Sequence, residues 1–229
     1  MSKSSAKPAP APPATRLYLA TPVIEEPNAI IATLAAMIAD ADVAAVLLRL
    51  APSDPRTLTA RIKAIAPAVQ GAGAALLVDG HTDLIARGGA DGSHVVGIEA
   101  MEDAMERLKP DRIVGVGGLA TRHDAMTAGE AGADYVLFGE PDPHGQRPSV
   151  EAIAERLDWW AELFEPPCVG YAGSIAEAQR FAEAGADFVL VGDFIWSDPR
   201  GAPVALMDAR QAVRQADAAT GAQIKAEPG

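Results

Sequence analysis

The sequence predicts a single-domain α/β fold, a (β/α)8 TIM barrel, and three observations carry that expectation. Short β-type runs alternate with longer segments of helical period from Arg16 onward, which is the signature of parallel βα units. The alternation counts to eight strands and eight helices, a number that a closed barrel accommodates without leaving a strand edge exposed. Finally, 229 residues with 49% hydrophobic content suit one sizeable core rather than two, since barrels of this kind use such a length as one domain.

The elements follow in order. Residues 16–20 read as the first strand, and Ile30, Ile31, Leu34, Met37 and Ile38 behind Pro27 and Asn28 place an apolar stripe on the first helix. Val43–Leu50 is nearly all apolar, as a strand covered on both faces must be. Asp54 and Pro55 open a helix carrying Leu58, Ile62, Ile65 and Val69 on one side. Strand three is expected at 74–78 with a short helix to Arg87, and strand four at 94–96 before a helix with Met101, Ala104, Met105 and Leu108. Strand five falls at 113–116, and Thr121 and Asp124 have the spacing of a capping box that starts the next helix. Tyr135–Phe138 is strand six, followed by a helix with Val150, Ile153, Leu157, Trp160 and Phe164. Residues 168–171 form strand seven, Ser174 and Glu177 a second capping box, Phe188–Val191 strand eight, and Leu206, Ala209 and Val213 mark the last helix.

A Gly-Ala-Asp triplet recurs at 89–91, 132–134 and 185–187, each where a helix ends and a strand begins. Glycine ends the helix in the left-handed conformation and the aspartate enters the strand from the barrel's N-terminal face. The three aspartates therefore read as structural. Residues 1–15, rich in Ser, Ala and Pro, read as a disordered leader, and 218–229 as a flexible tail.

A net charge of −12 and a pI near 4.7 set the field against nucleic-acid backbones and anionic membranes. The expected partner is a phosphorylated small molecule, with a homo-oligomer as a further option. Cys168 is the single cysteine, which excludes an internal disulfide and fits a reducing, cytoplasmic location. Its position in an apolar run reads as a small buried hydrophobe. No apolar run reaches the length of a membrane-spanning helix.

Function in such barrels gathers at the C-terminal ends of the strands. Arg49, embedded in an apolar strand, needs a ligand or an internal partner, for which Asp79 and Glu99 are the candidates. Asp79 and Glu99 on neighbouring loops would hold Mg2+ through carboxylates together with substrate oxygens. Gly173, Ser174 and Gly192 would cradle a phosphate at a helix N-terminus; the other reading is that these glycines only make tight turns. Asp193 opposes a phosphate there unless its carboxylate points away. The five lysines, at 3, 7, 63, 109 and 225, all avoid strand ends, so a Schiff-base nucleophile has no candidate and anions must meet arginine, histidine or backbone. His144 and Arg147, in the loop after strand six, are the acid-base and anion candidates. His94 reads as a core histidine. Phe194, Ile195 and Trp196 after strand eight would close the barrel mouth or join an interface.

These residues resemble a family, the thiamine phosphate synthases and the related thiazole tautomerases, over most of 16–199. RLYLATP at 16–22 looks like the family's opening strand, LLVD at 76–79 with ADGSH at 90–94 its third and fourth, and GADYVLFG at 132–139 and AGADFVLVG at 184–192 its sixth and eighth. The resemblance implies a Mg2+-assisted transferase that joins a hydroxymethylpyrimidine diphosphate to a thiazole phosphate with release of pyrophosphate, in thiamine biosynthesis. It places Arg49, Asp79, Glu99 and Arg147 on diphosphate and metal. Several family positions differ here: Leu47 and Ala51 stand for a glutamine and a lysine, Gly117 for a serine, and 144–147 read HGQR where the family has a threonine-rich loop ending in lysine. The competing expectation is a catalytically silent barrel that binds a phosphorylated metabolite or acts as an interaction protein.

Overall fold

The computed structural model of the chain describes residues 13–226, with side chains through 220. Eight strands, β1 (Arg16–Ile24), β2 (Val43–Leu50), β3 (Ala75–Asp79), β4 (Gly92–Val96), β5 (Ile113–Gly117), β6 (Tyr135–Phe138), β7 (Cys168–Ala172) and β8 (Phe188–Val191), close into a barrel in sequence order. Every neighbouring pair is parallel, including the closing pair of β1 with β8. The helices outside it are α1 (Ile31–Ala41), α2 (Pro55–Gly71), α3 (Ile85–Gly88), α4 (Ile98–Leu108), α5 (Arg122–Ala131), α6 (Val150–Leu163), α7 (Ile175–Glu183), α8 (Asp193–Trp196) and α9 (Ala202–Ala226). The predicted single-domain (β/α)8 barrel is the fold observed.

Strand alternation divides the apolar residues between two cores. Tyr18, Ala20, Leu47, Leu77, Tyr135, Leu137, Val169 and Leu190 pack together inside the barrel. Their chain neighbours Leu17, Leu19, Val46, Leu48, Leu76, Val78, Val136, Phe138, Val189 and Val191 pack outward against the helices. Carrying the inward set two residues toward each C-terminal end leads from Leu47 to Arg49, from Leu77 to Asp79 and from Leu190 to Gly192. The rule that fills the barrel thus also chooses what lines its mouth.

The Gly-Ala-Asp triplets do what their spacing implies. Gly89, Gly132 and Gly185 have φ of 80°, 92° and 81°, the left-handed region that glycine enters without strain. Each aspartate accepts the N–H of a residue that begins the preceding strand or lies one place into it: Asp91 from Leu76 at 2.7 Å, Asp134 from Val114 at 2.6 Å and Asp187 from Cys168 at 2.8 Å. They sit at the N-terminal rim, away from the mouth.

Three expectations are corrected and one is narrowed. β1 runs to Ile24, beyond the expected end at Ala20, because its pairing with β2 resumes at Val23 after a register shift. Phe194, Ile195 and Trp196 form a short helix that packs as wall: Ile195 is fully buried and the Trp196 indole donates to Ala20 O at 2.7 Å. The chain expected to be a tail from 218 continues α9 to Ala226, since its Ala, Gln and Lys residues favour helix. Thr15, placed in the leader, is tied down, its N–H and hydroxyl both donating to the Asp217 carboxylate at 3.1 and 2.9 Å. The rest of the leader, 1–12, lies outside the described residues.

Candidate active site

Arg49 owes its position to the extended β1. The buried Thr21 hydroxyl accepts the Arg49 N–H at 3.1 Å, and Thr21 O accepts Arg49 Nε–H. The guanidinium then pairs through Nη2 with Asp193 at the start of α8. Its internal partner is therefore Asp193, not Asp79 or Glu99, and the Asp193 carboxylate is turned toward Arg49. A Cβ at Gly192 would lie 3.2 Å from Ala20 Cβ, so glycine there eases the packing of β8's end against β1.

Asp79 ends β3 beside a pocket of about 640 Å3 that it lines with His81, Asp83, His94, Val96 and Arg107. Its carboxyl remains solvent-accessible but is crowded by the rim. Desolvation raises it above the usual carboxylate range, with the Glu140 charge adding to the rise and His94, Arg49 and His81 opposing it.

Beneath Asp79 lies a buried polar column that begins inside the barrel. The hydroxyls of Tyr18 and Tyr135 are 3.0 Å apart, His94 Nδ1 lies 3.0 Å from the Tyr135 hydroxyl, and His94 Nε2 lies 3.6 Å from Glu140 Oε2. Burial raises both tyrosines well above the ordinary phenol range. Glu140 follows β6 and leans over the end of β5, where Gly118 N–H donates to its Oε2 at 3.1 Å. A Cβ at Gly117 would overlap this same carboxylate oxygen.

Arg147 reaches back from the loop after β6 to the end of β7. It donates to Tyr171 O at 2.7 Å, pairs with Glu177 at 2.9 Å and lies over the Tyr171 ring. A Cβ at Gly173 would stand 2.9 Å from Arg147 Nη1, so a side chain there would push the guanidinium aside. Ser174 caps α7 by accepting from Glu177 N–H at 3.2 Å, and the Glu177 carboxylate accepts Gly173 N–H at 2.9 Å. The predicted capping box is thus displaced by one residue, the carboxylate reaching Gly173 in place of Ser174. An internal carboxylate stands between Arg147 and the Gly173 N–H, two donors suited to a phosphate oxygen. His144 is exposed in a tight turn where its N–H and that of Gln146 both donate to Asp142 at 2.8 Å.

The structure brings Arg49 and Asp79 to one mouth and sets Arg147, Gly173 and Ser174 together on its β7 side. Glu99 is exposed on the first turn of α4 and does not line the pocket that Asp79 shares. Among the described residues no three His, Cys, Asp or Glu side chains converge as a metal-holding group. Sequence reasoning assigned no function to Tyr18, Tyr135 or Glu140. The tyrosines had a signal, since period two places them on the inward face, and Glu140 had one in its place just after strand six, where function gathers in such barrels. Cys168 is fully buried and His94 nearly so, as the sequence predicted.

A closed eight-stranded parallel barrel with charged side chains collected at the C-terminal mouth defines a (β/α)8-barrel protein of the enzyme-bearing type. Within that class a family profile described as thiamine monophosphate synthase matches residues 17–195, and the chain belongs to that family. A thiamine-phosphate synthase of Rhodospirillum centenum is 40% identical over 202 residues, covering 87% of this chain and 98% of that protein. One from Hyphomonas neptunium is 35% identical, covering 85% and 91%. Among solved structures, a thiamine phosphate pyrophosphorylase of Pyrococcus furiosus superposes with a TM-score of 0.72 at 21% identity, covering 88% of this chain and 96% of that one. No helix among the described residues is long and apolar enough to cross a membrane.

Proposed function

We propose that the chain is a thiamine phosphate synthase that joins a hydroxymethylpyrimidine diphosphate to a thiazole phosphate. The bond from the pyrimidine's methylene carbon to the diphosphate oxygen breaks, one to the thiazole nitrogen forms, and pyrophosphate leaves. The observation that carries this reading is the close likeness to synthases along nearly their whole length, combined with arginines at two sides of one mouth. No feature of the site favours the silent barrel.

Arg49 and Arg147 supply the positive charge that meets the diphosphate and its developing charge as it departs. Each is already paired, with Asp193 and Glu177, so an incoming phosphate must share or displace a carboxylate. Gly173, Ser174 and Gly192 offer backbone approach for the thiazole phosphate at the start of α7. His144, exposed above this end, is the proton-transfer candidate. Asp79 fits a hard cation: it is an oxygen donor whose carboxyl is raised by burial and by the neighbouring Glu140 charge, a crowding that a cation would relieve. Asp79 would hold Mg2+, which when bound neutralises diphosphate charge, while Glu99, on the first turn of α4, stands outside the pocket that Asp79 lines. A cytoplasmic location and a phosphorylated small-molecule partner follow from this reading.

Calorimetry with pyrophosphate, Mg2+ and thiazole phosphate, followed by a turnover assay with both substrates, tests the proposal. Binding heat and product are expected; heat from none of the three ligands would overturn it. Arg49→Ala is expected to weaken pyrophosphate binding by about tenfold to a hundredfold, the scale of a lost charge-assisted contact, while the protein stays folded.

A further inference from the structure

We propose that Glu140 is a specificity-determining residue whose anchored carboxylate accepts a hydrogen bond from the amino group of the pyrimidine substrate. The inference rests on the synthase reading above and deepens it.

Only one proton arrangement pairs both hydroxyl donors of the buried column. Among the described residues the Tyr18 hydroxyl has no hydrogen-bond partner other than the Tyr135 hydroxyl, so Tyr18 must donate to Tyr135 or leave its proton unpaired in the core. Tyr135 then donates to His94 Nδ1, which places the imidazole proton on Nε2, facing Glu140 Oε2 at 3.6 Å. Gly118 N–H meets the same oxygen. The Gly118 N–H therefore holds Oε2 by a hydrogen bond and keeps the carboxylate over Gly117, where the missing side chain leaves room for it, with His94 Nε2 facing the same oxygen at 3.6 Å. Oε1 receives no protein donor among the described residues. A carboxylate fixed through one oxygen presents the other as an acceptor only.

The surrounding charge says which part of a substrate belongs there. Glu140 puts a negative charge at the end of β6, whereas Arg49 and Arg147 lie at the ends of β2 and β7. A diphosphate placed against Glu140 would be repelled. A neutral ring bearing an N–H donor would not, and an aminopyrimidine joined to a diphosphate matches both halves of this field.

The test compares 4-amino-5-hydroxymethyl-2-methylpyrimidine with its analogue lacking the amino group, by calorimetry on wild type, Glu140→Ala and Glu140→Gln. Wild type is expected to prefer the amino compound by about tenfold or more, the value of a hydrogen bond to a charged acceptor. Glu140→Ala should lose that preference through the amino compound alone, and Glu140→Gln should lose it too, because its single carbonyl oxygen stays on Gly118 N–H and turns an NH2 donor toward the ligand. A purely structural role would weaken both ligands equally. A preference unchanged in Glu140→Ala overturns the proposal even if the enzyme turns over both substrates. Preference without turnover would leave Glu140's role standing and sink the synthase reading, and a wild type that does not discriminate the two compounds removes the role of Glu140.

Discussion

Gly117 and Glu140 are coupled by volume: one lacks a side chain where the other's carboxylate lies. Gly117→Ser is therefore expected to expel Glu140 from Gly118 N–H and His94 at a cost of about 1 kcal/mol or less, because the displaced atoms are the end of a flexible side chain and the loss is one hydrogen bond. Urea denaturation measures this, and adding Glu140→Ala should cost little more, because the hydrogen bond is already lost. Asp79 makes a second prediction through its raised carboxyl. A carboxyl whose folded pKa exceeds its unfolded value of about 3.9 costs nothing below that pH and destabilises increasingly as pH rises through the folded value. Asp79→Asn should accordingly raise Tm at neutral pH, show no gain below about pH 4, and weaken Mg2+ and pyrophosphate heats. A variant that melts lower than wild type at pH 7 would mean that Asp79 makes a stabilising contact instead. Cys168 was legible from its apolar context alone; burial lifts its thiol to about 12, so a disulfide reagent at mild alkaline pH should label it only in the unfolded protein.

Elements of the barrel were legible because two signals agreed, apolar period and punctuation. β2, β6 and β8 fall where the apolar runs start and stop, since glycine or turn residues flank them. β1 did not, because Thr21 and Pro22 look like a turn in isolation and are held in the strand by Arg49 and the resumed pairing with β2, which are distant in sequence. α8 was unreadable for a related reason: Phe194, Ile195 and Trp196 are apolar in any setting, and only Ala20 O shows that the indole faces the wall. Arg49's partner escaped because Asp193 arrives from the strand that closes the barrel, a contact no local pattern encodes. The Gly-Ala-Asp repeats gave both structure and role. Asp187→Ala removes the acceptor of the buried Cys168 N–H and should lower stability by about 1–3 kcal/mol, the cost of an unsatisfied buried donor. Substrate KM should stay unchanged, because Asp187 lies at the end of β8 opposite the mouth. A shift in KM with no change in stability would reverse the assignment.

At the scale of the whole molecule, closure depends on α9. It covers the seam where β1 meets β8, burying Ala205, Leu206, Ala209, Ala212, Val213 and Ala216, while Asp217 holds Thr15 at the entrance to β1. A barrel has no free edge only while that seam stays shut. Leu206 and Val213 alone contribute roughly 1.5–3 kcal/mol each by burial, against a net stability of about 5–15 kcal/mol for a domain. A chain ending at residue 217 keeps every one of these contacts and is expected to melt within about 2 °C of the full chain, less than the shift that 1 kcal/mol produces at this size. A chain ending at residue 204 loses them all and should show no cooperative transition by calorimetry. Asp217→Ala lies between, freeing Thr15 and lowering Tm by a few degrees, about 1 kcal/mol for the lost hydrogen bonds. If the chain ending at 204 still melted cooperatively near the wild-type temperature, the seam would be sealed by the strands alone, and the mouth's geometry would not depend on the last helix.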